Sequence, residues 1–189
     1  MRYFFAISLS FLFLLPLKAQ EPTFSSEVVD GVKVLRHEVV VEASLTAVWD
    51  LFTTEAGVRS WITPVAFVDF REGGFMEASY DHKAKKGDPK NIKSQFTHIA
   101  HLVKYTSKTV QVPPDFPNRQ VLLEISGEVS FHEVAPGKVK VSIAMLGWKD
   151  TPEHTKVHQF FEQGNTWYCH QLLKRLKEGP FSWETAKGE

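Results

Sequence analysis

The sequence predicts an α+β fold: a curved antiparallel sheet of about six or seven strands wrapped around a long C-terminal helix, with two short helices after the first strand. Three observations lead to this prediction. Val32–Ala43 alternates apolar and polar residues, as a strand with one buried face does. Further alternating segments follow, separated by turn residues. Finally, Pro152–Glu178 is the only segment long enough to cover such a sheet as a helix.

The two short helices are predicted directly after the first strand. Ser44 is a suitable N-cap for "SLTAVWDLFTT", in which apolar residues recur three and four positions apart. We expect Gly57 to end this helix. The segment "VRSWITP" is then a second short helix or a turn, stopped by Pro64.

The later strands follow from alternation between turn residues. "VAFVDF" and "FMEASYD" flank the turn "REGG", and the prolines of "PPDFPNRQ" exclude that loop from the sheet interior. A break at Thr106–Ser107 divides two of the later strands. These later predicted strands are Ile92–Tyr105, Lys108–Val112, Val121–Phe131 and Lys138–Trp148.

The N-terminus has the layout of a secretory signal peptide. An early arginine precedes the apolar run Phe4–Leu15, and cleavage is expected after Ala19. The run is shorter than the roughly 20 residues that cross a bilayer, so no stable membrane insertion is expected after cleavage. The protein is therefore predicted to be periplasmic or secreted. The predicted organisation is signal peptide 1–19, polar leader 20–27, one domain 28–183 and tail 184–189.

The charge balance bears on which partners the protein can bind, and the cysteine content bears on how the fold is stabilised. The chain has 22 Lys and Arg against 22 Asp and Glu, so no positive field attracts nucleic acid. The single cysteine, Cys169, cannot form an internal disulfide, and we expect it to be a small buried apolar residue. The fold must then be stabilised by packing alone.

Three blocks of the sequence resemble a known superfamily. "VWDLFTTEAGVRSWITPVAFVDFREGGFMEASYD", "PPDFP" and "LKRLKEGPFSW" are similar to START-like (SRPBCC) proteins, which share the helix-grip fold of the birch pollen allergen. The bacterial group related to the C-terminal domain of the heat-shock-protein-90 ATPase activator is the most similar, over Val32–Trp183. The resemblance implies a deep, mostly apolar cavity between the sheet and the long helix. Members include lipid and small-molecule binders, cyclases, hydrolases and co-chaperones, so the fold does not define the function.

Inward positions of the strands and the last helix are the candidates for lining such a cavity. No catalytic motif, metal site or cofactor is predicted, because no recognisable nucleophile or phosphate-loop spacing occurs. His154, His158 and Glu162 share one helix face, which suits either zinc or a solvated polar stripe, and we favour the stripe. The cavity candidates are His37, Val39, Phe75, Phe96, Leu123, Ile125, Val129, Val141, Ile143, Met145, Val157, Phe160, Gly164 and Tyr168.

His37 has two interpretations. It alternates with Leu35 and Val39, so it should project from the apolar face of its strand. A histidine there is either a core residue bonded to backbone or tyrosine, or a group that meets a ligand in the cavity.

Three functions remain open. The first is binding of a small apolar or amphipathic molecule. The second is a cyclase- or hydrolase-type enzyme in which His37 acts as general acid or base. The third is a protein-interaction module like the co-chaperone, which predicts an exposed apolar patch. The apolar residues of the last helix change direction along its length, so we also expect a bend or irregularity near Gly164–Asn165.

Overall fold

The computed structural model describes residues 21–183, so the predicted signal peptide and the tail 184–189 lie outside the described residues. The described chain contains one eight-stranded sheet in the order β1-β2-β8-β7-β6-β5-β4-β3, with every neighbouring pair antiparallel. Its elements are β1 (Thr23–Val29), β2 (Val32–Glu42), α1 (Leu45–Thr53), α2 (Glu55–Arg59), β3 (Val65–Val68), β4 (Phe75–Ser79), β5 (Ile92–Ala100), β6 (Lys104–Gln111), α3 (Arg119–Glu124), β7 (Ser126–Ala135), β8 (Lys138–Trp148) and α4 (Pro152–Glu178). The predicted α+β helix-grip architecture is confirmed.

The additional strand is β1, which lies in the predicted polar leader. It forms a hairpin with β2 across the two-residue turn Asp30–Gly31, whose φ angles are 50° and 78°. Positive φ at both central positions is the geometry that Asp-Gly favours in tight hairpins. Every residue of β1 is exposed. With no buried face, β1 therefore lacks the alternation that identifies the other strands.

Two short helices follow β2 as predicted, but α2 begins at Glu55 and ends at Arg59, earlier in the chain than the predicted segment 58–64. The Ser44 hydroxyl accepts the N–H of Ala47 at 3.3 Å and caps α1. Gly57 lies inside α2 instead of ending α1, so that prediction is wrong. A Cβ at Gly57 would lie 1.9 Å from the carbonyl oxygen of Asp50. The glycine is therefore needed for the close approach of α2 to α1.

The predicted strand Val121–Phe131 begins too early. Its first residues form the helix α3, and β7 starts at Ser126. Asn118, directly before α3, has a left-handed backbone with φ 52°. Leu123 lies within α3 and Ile125 is its C-cap. Both cavity candidates therefore extend from a helix and its end, and not from a strand. The strand prediction failed here because a short apolar run does not distinguish a strand from a helix.

The turn between β5 and β6 is also displaced from its predicted position. It lies between the two strands at residues 101–103, where Leu102 has φ 59°. β6 continues through Thr106–Ser107, which were predicted to be a break. The register with β5 shifts at Lys93/Ser94 and again at Phe96/His98. The β5–β6 ladder is therefore irregular at two points, while β6 itself is a continuous strand.

The long helix α4 has the predicted bounds, and its cap is clear. The Thr151 hydroxyl accepts the N–H of His154, and Gly179, with φ 92°, follows the last helical residue. The helix is continuous through Gly164–Asn165, so it has no break there, and the bend predicted at this point stays a prediction. Buried residues in its C-terminal half, such as Cys169 and Leu172, fix the helix by packing. Tertiary packing thus outweighs the low helix propensity of glycine and asparagine.

Two hydrophobic clusters form the core, and α4 contributes to both. The larger one contains Trp49, Phe52 and Trp61 together with the C-terminal half of α4. The smaller one joins α3 to Val157 in the N-terminal half of α4. α4 lies mainly against β1, β2 and β8, whereas α1 packs on β7 and β8. The concave face of β4, β5 and β6 is consequently the part of the sheet that α4 covers least.

Within residues 21–183, no helix is both long enough and apolar enough to cross a membrane.

Candidate functional site

Most of the predicted cavity residues contact one another in the core. Val39, Phe96, Val141 and Ile143 are buried in the larger cluster, with Val129 and Tyr168 partly buried against it. Ile125 and Val157 are buried in the smaller cluster, with Leu123 and Met145 partly buried against it. The inward alternation is therefore correct for most of these residues, but much of the predicted apolar lining is packed interior.

Two of the candidates, Phe75 and Phe160, do not face the interior as predicted. Phe75 pairs with Gln95 on the convex face, where the ammonium group of Lys93 lies 4.4 Å from its ring centroid. Phe160 is 61% exposed. Gly164 is half-buried and lies four residues before Tyr168, so it shares that face of α4, and no heavy atom lies within 4 Å of the position that a Cβ would occupy. On α4 the helical period is correct for Val157 and Tyr168, and only Phe160 lies too far around the helix to reach the sheet.

A set of hydroxyl-bearing side chains lies on the concave face of β5 and β6, next to Tyr168 of α4. Ser94 pairs with Thr109 across β5 and β6, and Ser107 pairs with Gly127 across β6 and β7. Paired residues share a face of the sheet, and that face also carries Tyr105. We call this feature the hydroxyl groove, and its residues are Tyr80, Ser94, Tyr105, Ser107, Thr109 and Tyr168.

The side-chain hydroxyls of the groove have no hydrogen-bond partner among the residues that the structure describes. Burial raises the pKa of Tyr105. Burial also raises the pKa of Tyr168, which lies close to Tyr105 and Tyr80. All three tyrosines therefore keep their protons at physiological pH and can both donate and accept. Unpaired hydroxyls in a half-buried place are costly, so a ligand or water that pairs with them is stabilised there.

Aromatic contacts fix the position of two of these tyrosines. The Tyr168 ring lies 4.6 Å from that of Trp61, and the Tyr105 ring lies edge-on to Phe96 at 5.6 Å. The groove is thus polar at its hydroxyl tips and aromatic behind them. Gly127 adds no side chain to the floor of the groove, and a Cβ there would lie 3.4 Å from the Ser107 hydroxyl.

His37 lies on the other side of α4, and it is fully buried. Its Nε2 donates to the main-chain carbonyl oxygen of Glu162 at 3.0 Å, while Nδ1 is buried without a partner in the described part of the chain. Burial lowers the pKa of His37, so the ring is neutral. Phe24 stacks on it at 5.6 Å. In this arrangement His37 links α4 to β2. This agrees with the first of its two interpretations, a core histidine that is hydrogen-bonded to the backbone.

A second histidine of α4 contacts β1. Nε2 of His158 lies 3.2 Å from the Ser26 hydroxyl, and Nδ1 lies 3.2 Å from Oε1 of Glu162. His154, one turn earlier, is instead buried against Glu124 at 3.3 Å. His154, His158 and Glu162, which were predicted to form one polar stripe, thus take part in two separate contacts. His154 contacts Glu124, whereas His158 contacts Ser26 and Glu162. Over residues 21–183, no three His, Cys, Asp or Glu side chains are arranged to hold a metal ion.

Two open depressions of the surface lie away from the groove. One of about 740 Å³ lies between α1, α2 and the end of α4, and one of about 510 Å³ lies at the start of α4. Neither contains a groove residue or a predicted cavity residue. In the larger one both arginines are already paired, since Arg175 donates to Ser60 at 2.9 Å and Arg59 donates to the Pro64 carbonyl at 3.1 Å. The hydroxyl groove is therefore the better candidate for binding.

Sequence reasoning identified Tyr168 but missed the other groove residues. The signal that could have found them is the alternation Tyr105, Ser107, Thr109 along β6. That pattern was obscured because Thr106–Ser107 was interpreted as a break between strands.

Similar proteins agree with the fold. The Aha1 dimer from Colwellia psychrerythraea is 15% identical, with a TM-score of 0.57 over 77% of this chain and 97% of that one. CalU16 from Micromonospora echinospora is 15% identical, with a TM-score of 0.55 over 88% and 89% of the two chains. Protein MLL2253 from Mesorhizobium loti is 10% identical, with a TM-score of 0.61 over 78% and 99%. At these identities the likeness concerns the fold alone.

None of the curated proteins compared with the chain is similar to it at a significant level. The family described as Activator of Hsp90 ATPase homolog 1-like protein matches residues 42–177, which run from the end of β2 almost to the end of α4. The match therefore includes all of the hydroxyl groove, and this fold is compatible with ligand binding or a co-chaperone-like role. The chain belongs to the Activator of Hsp90 ATPase homolog 1-like family.

Proposed function

We propose that this protein, once exported to the periplasm or secreted, binds a small amphipathic molecule in the hydroxyl groove between the sheet and α4. The observation that carries the proposal is the set of hydroxyls on β5, β6 and α4 that have no partner among the described residues. A ligand with an apolar body and a few hydrogen-bonding groups matches the aromatic walls and polar tips of the groove. The signal-peptide pattern of the N-terminus supports export.

Removing single hydroxyls from the groove tests this function. Tyr105→Phe, Tyr168→Phe and Thr109→Val each delete one hydroxyl and keep the shape of the side chain. No protein hydrogen bond is lost, so the free energy of unfolding should stay within about 0.5 kcal/mol of wild type or rise. The affinity for 1-anilinonaphthalene-8-sulfonate, an amphipathic aromatic probe, should fall by about tenfold for each hydroxyl that contacts it, as measured by fluorescence titration.

Thr106→Val is the matched control, since Thr106 lies on the same strand but bonds Thr97 on the opposite face. It should leave dye affinity unchanged. Native mass spectrometry of protein purified from an exporting host gives a second measurement, in which we expect a bound small molecule. Failure of the wild-type protein to bind the dye, or equal affinities for all of the variants, contradicts the proposal.

A second function, binding of a protein partner, is favoured by an exposed apolar patch on the β1–β2 hairpin. Phe24 and Val28 are 56% and 63% exposed, and Val29 and Val32 are also exposed. Such a patch is typical of an interaction surface. It shares no residue with the hydroxyl groove, so the two functions can be separated by substitution.

A further inference from the structure

The contact between β1 and α4 places a hydroxyl, an imidazole and a carboxylate in sequence. The Ser26 hydroxyl lies 3.2 Å from Nε2 of His158, and Nδ1 of the same ring lies 3.2 Å from Oε1 of Glu162. We propose that Ser26, His158 and Glu162 form a second site, in which Ser26 is the nucleophile for hydrolysis of small carboxylic esters. This site is separate from the hydroxyl groove.

The order of the three groups determines which nitrogen carries the proton. An ionised carboxylate can only accept, so Nδ1 of His158 holds its hydrogen toward Glu162. Nε2 then presents a lone pair to the Ser26 hydroxyl, which becomes the donor. A hydroxyl that donates to a neutral imidazole is the arrangement in which a serine loses its proton as it attacks.

Neighbouring residues hold the base in position. His158 and Glu162 are one turn apart on α4, and Trp148 lies edge-on to the His158 ring at 4.9 Å. Nε2 of His37 donates to the main-chain carbonyl of Glu162 and anchors this turn of the helix to β2. His37 is thus a positioning residue, which acts through the backbone and does not contact a substrate.

Ser26 is open to solvent, and its own N–H is free to stabilise charge. The two-residue turn makes Val29 and Val32 a hydrogen-bonded pair, so the bonds alternate and Ser26–Leu35 is a non-bonded pair. The Ser26 N–H therefore points to the outer edge of β1, the first strand of the described sheet. A carbonyl oxygen that becomes negative beside the Ser26 hydroxyl can accept this N–H.

The neighbours of Ser26 on β1 indicate the substrate class. Phe24 and Val28 lie two residues to either side, so they share its face of the strand. Both are more than half exposed. An apolar acyl chain can lie along them while its carbonyl meets Ser26, which favours small esters of aliphatic or aromatic acids.

The reaction has two balanced steps. A lone pair of the Ser26 oxygen attacks the ester carbonyl carbon, and the hydroxyl proton passes to Nε2 of His158. The C–O bond to the alcohol then breaks, the alcohol takes that proton from Nε2, and an acyl-Ser26 ester remains. Water attacks the acyl carbon and gives a proton to Nε2, which returns it to the serine oxygen as the carboxylic acid leaves.

The test combines covalent labelling with ester hydrolysis on the folded protein. A fluorophosphonate probe should label Ser26, identified by peptide mass spectrometry, and the protein should hydrolyse p-nitrophenyl butyrate. Ser26→Ala should abolish both, and Glu162→Gln should lower hydrolysis by about 10²–10⁴-fold. Glu162→Gln keeps the main-chain carbonyl that accepts from His37, so the helix stays anchored.

Ser25→Ala is the matched control, because Ser25 is the adjacent residue of β1 and faces the other side of the sheet. It should label and hydrolyse like wild type. A wild-type protein without activity or labelling overturns the proposal. So does a Ser26→Ala variant that hydrolyses the ester as fast as wild type, or a Glu162→Gln variant with an unchanged rate.

Discussion

Glu124, the last residue of α3, connects that helix to the start of α4. Its carboxylate accepts from Lys149 at 2.5 Å and from Gln120 at 3.2 Å, and it lies 3.3 Å from Nε2 of His154. The hydrogen bond from Lys149, followed by those from Gln120 and His154, lowers the pKa of Glu124 from 4.5 to about 2. A lowered pKa means that the folded state favours the ionised carboxylate.

The pH dependence of stability follows from this shift. Ionised Glu124 stabilises the fold above its unfolded pKa of 4.5, and the contribution is lost as pH falls from there to about 2. We expect Glu124→Gln to lower Tm at pH 6, and we expect the difference from wild type to shrink steadily as pH falls from 4.5 through about 2. Melting curves between pH 2 and 6 measure it, with the exposed residue Asp115, changed to Asn, as control. A difference that does not change with pH contradicts this role.

The individual residues divide into those that the sequence could place and those that it could not. His37 lies on the buried face of β2, as its alternation with Leu35 and Val39 predicts. Its bond to the carbonyl of Glu162 could not be predicted, since the two residues are 125 positions apart. The Ser26 hydroxyl contact with His158 was invisible for the same reason, and because β1 has no alternation.

At the scale of single elements, α4 offers a direct comparison of two of its faces. Leu172 is fully buried in the larger core cluster, whereas Phe160 is 61% exposed. Leu172→Ala should lower the free energy of unfolding by about 2–5 kcal/mol, because it removes apolar contacts and leaves a cavity. Phe160→Ala should change it by no more than about 0.5 kcal/mol. Urea titrations of the two variants measure both values.

Equal losses in these two variants would mean that α4 is rotated relative to the described structure. The alanine variants are suitable probes because alanine favours the helix at both positions.

Elements with a strong pattern and clear caps were predicted well, and short ones were not. β2 has clear alternation, and α4 has Pro152 at its start and Gly179 after its end, so their bounds follow from the sequence. α3 has only six residues, and in its apolar run helix and strand look alike. Gly57 was misinterpreted because its conformation does not reveal that a neighbouring helix passes close to it.

At the scale of the whole molecule, the position of α4 across the sheet decides where a ligand can bind. Alternation tells which face of each strand is apolar, and that was enough to predict the helix-grip fold. Alternation does not tell which of the eight strands the helix α4 covers. Because α4 lies over β2 and β8, the inward apolar residues of these two strands are packed as core. The hydroxyls of β5 and β6, further across the sheet, remain available.

Export of the protein through its predicted signal peptide can be tested directly. If the signal peptide is cleaved after Ala19, the mature chain begins at Gln20, three residues before β1. Cleavage there would leave the whole sheet intact, including Ser26. We expect the full-length protein, expressed in a bacterium with an outer membrane, to appear in the periplasm or medium with Gln20 as its N-terminus, as measured by intact mass. Ala19→Glu should block cleavage, because the peptidase requires a small residue at that position. An uncleaved wild-type chain in the cytosol would contradict export, and the groove and the Ser26 site would then have to act on cytosolic molecules.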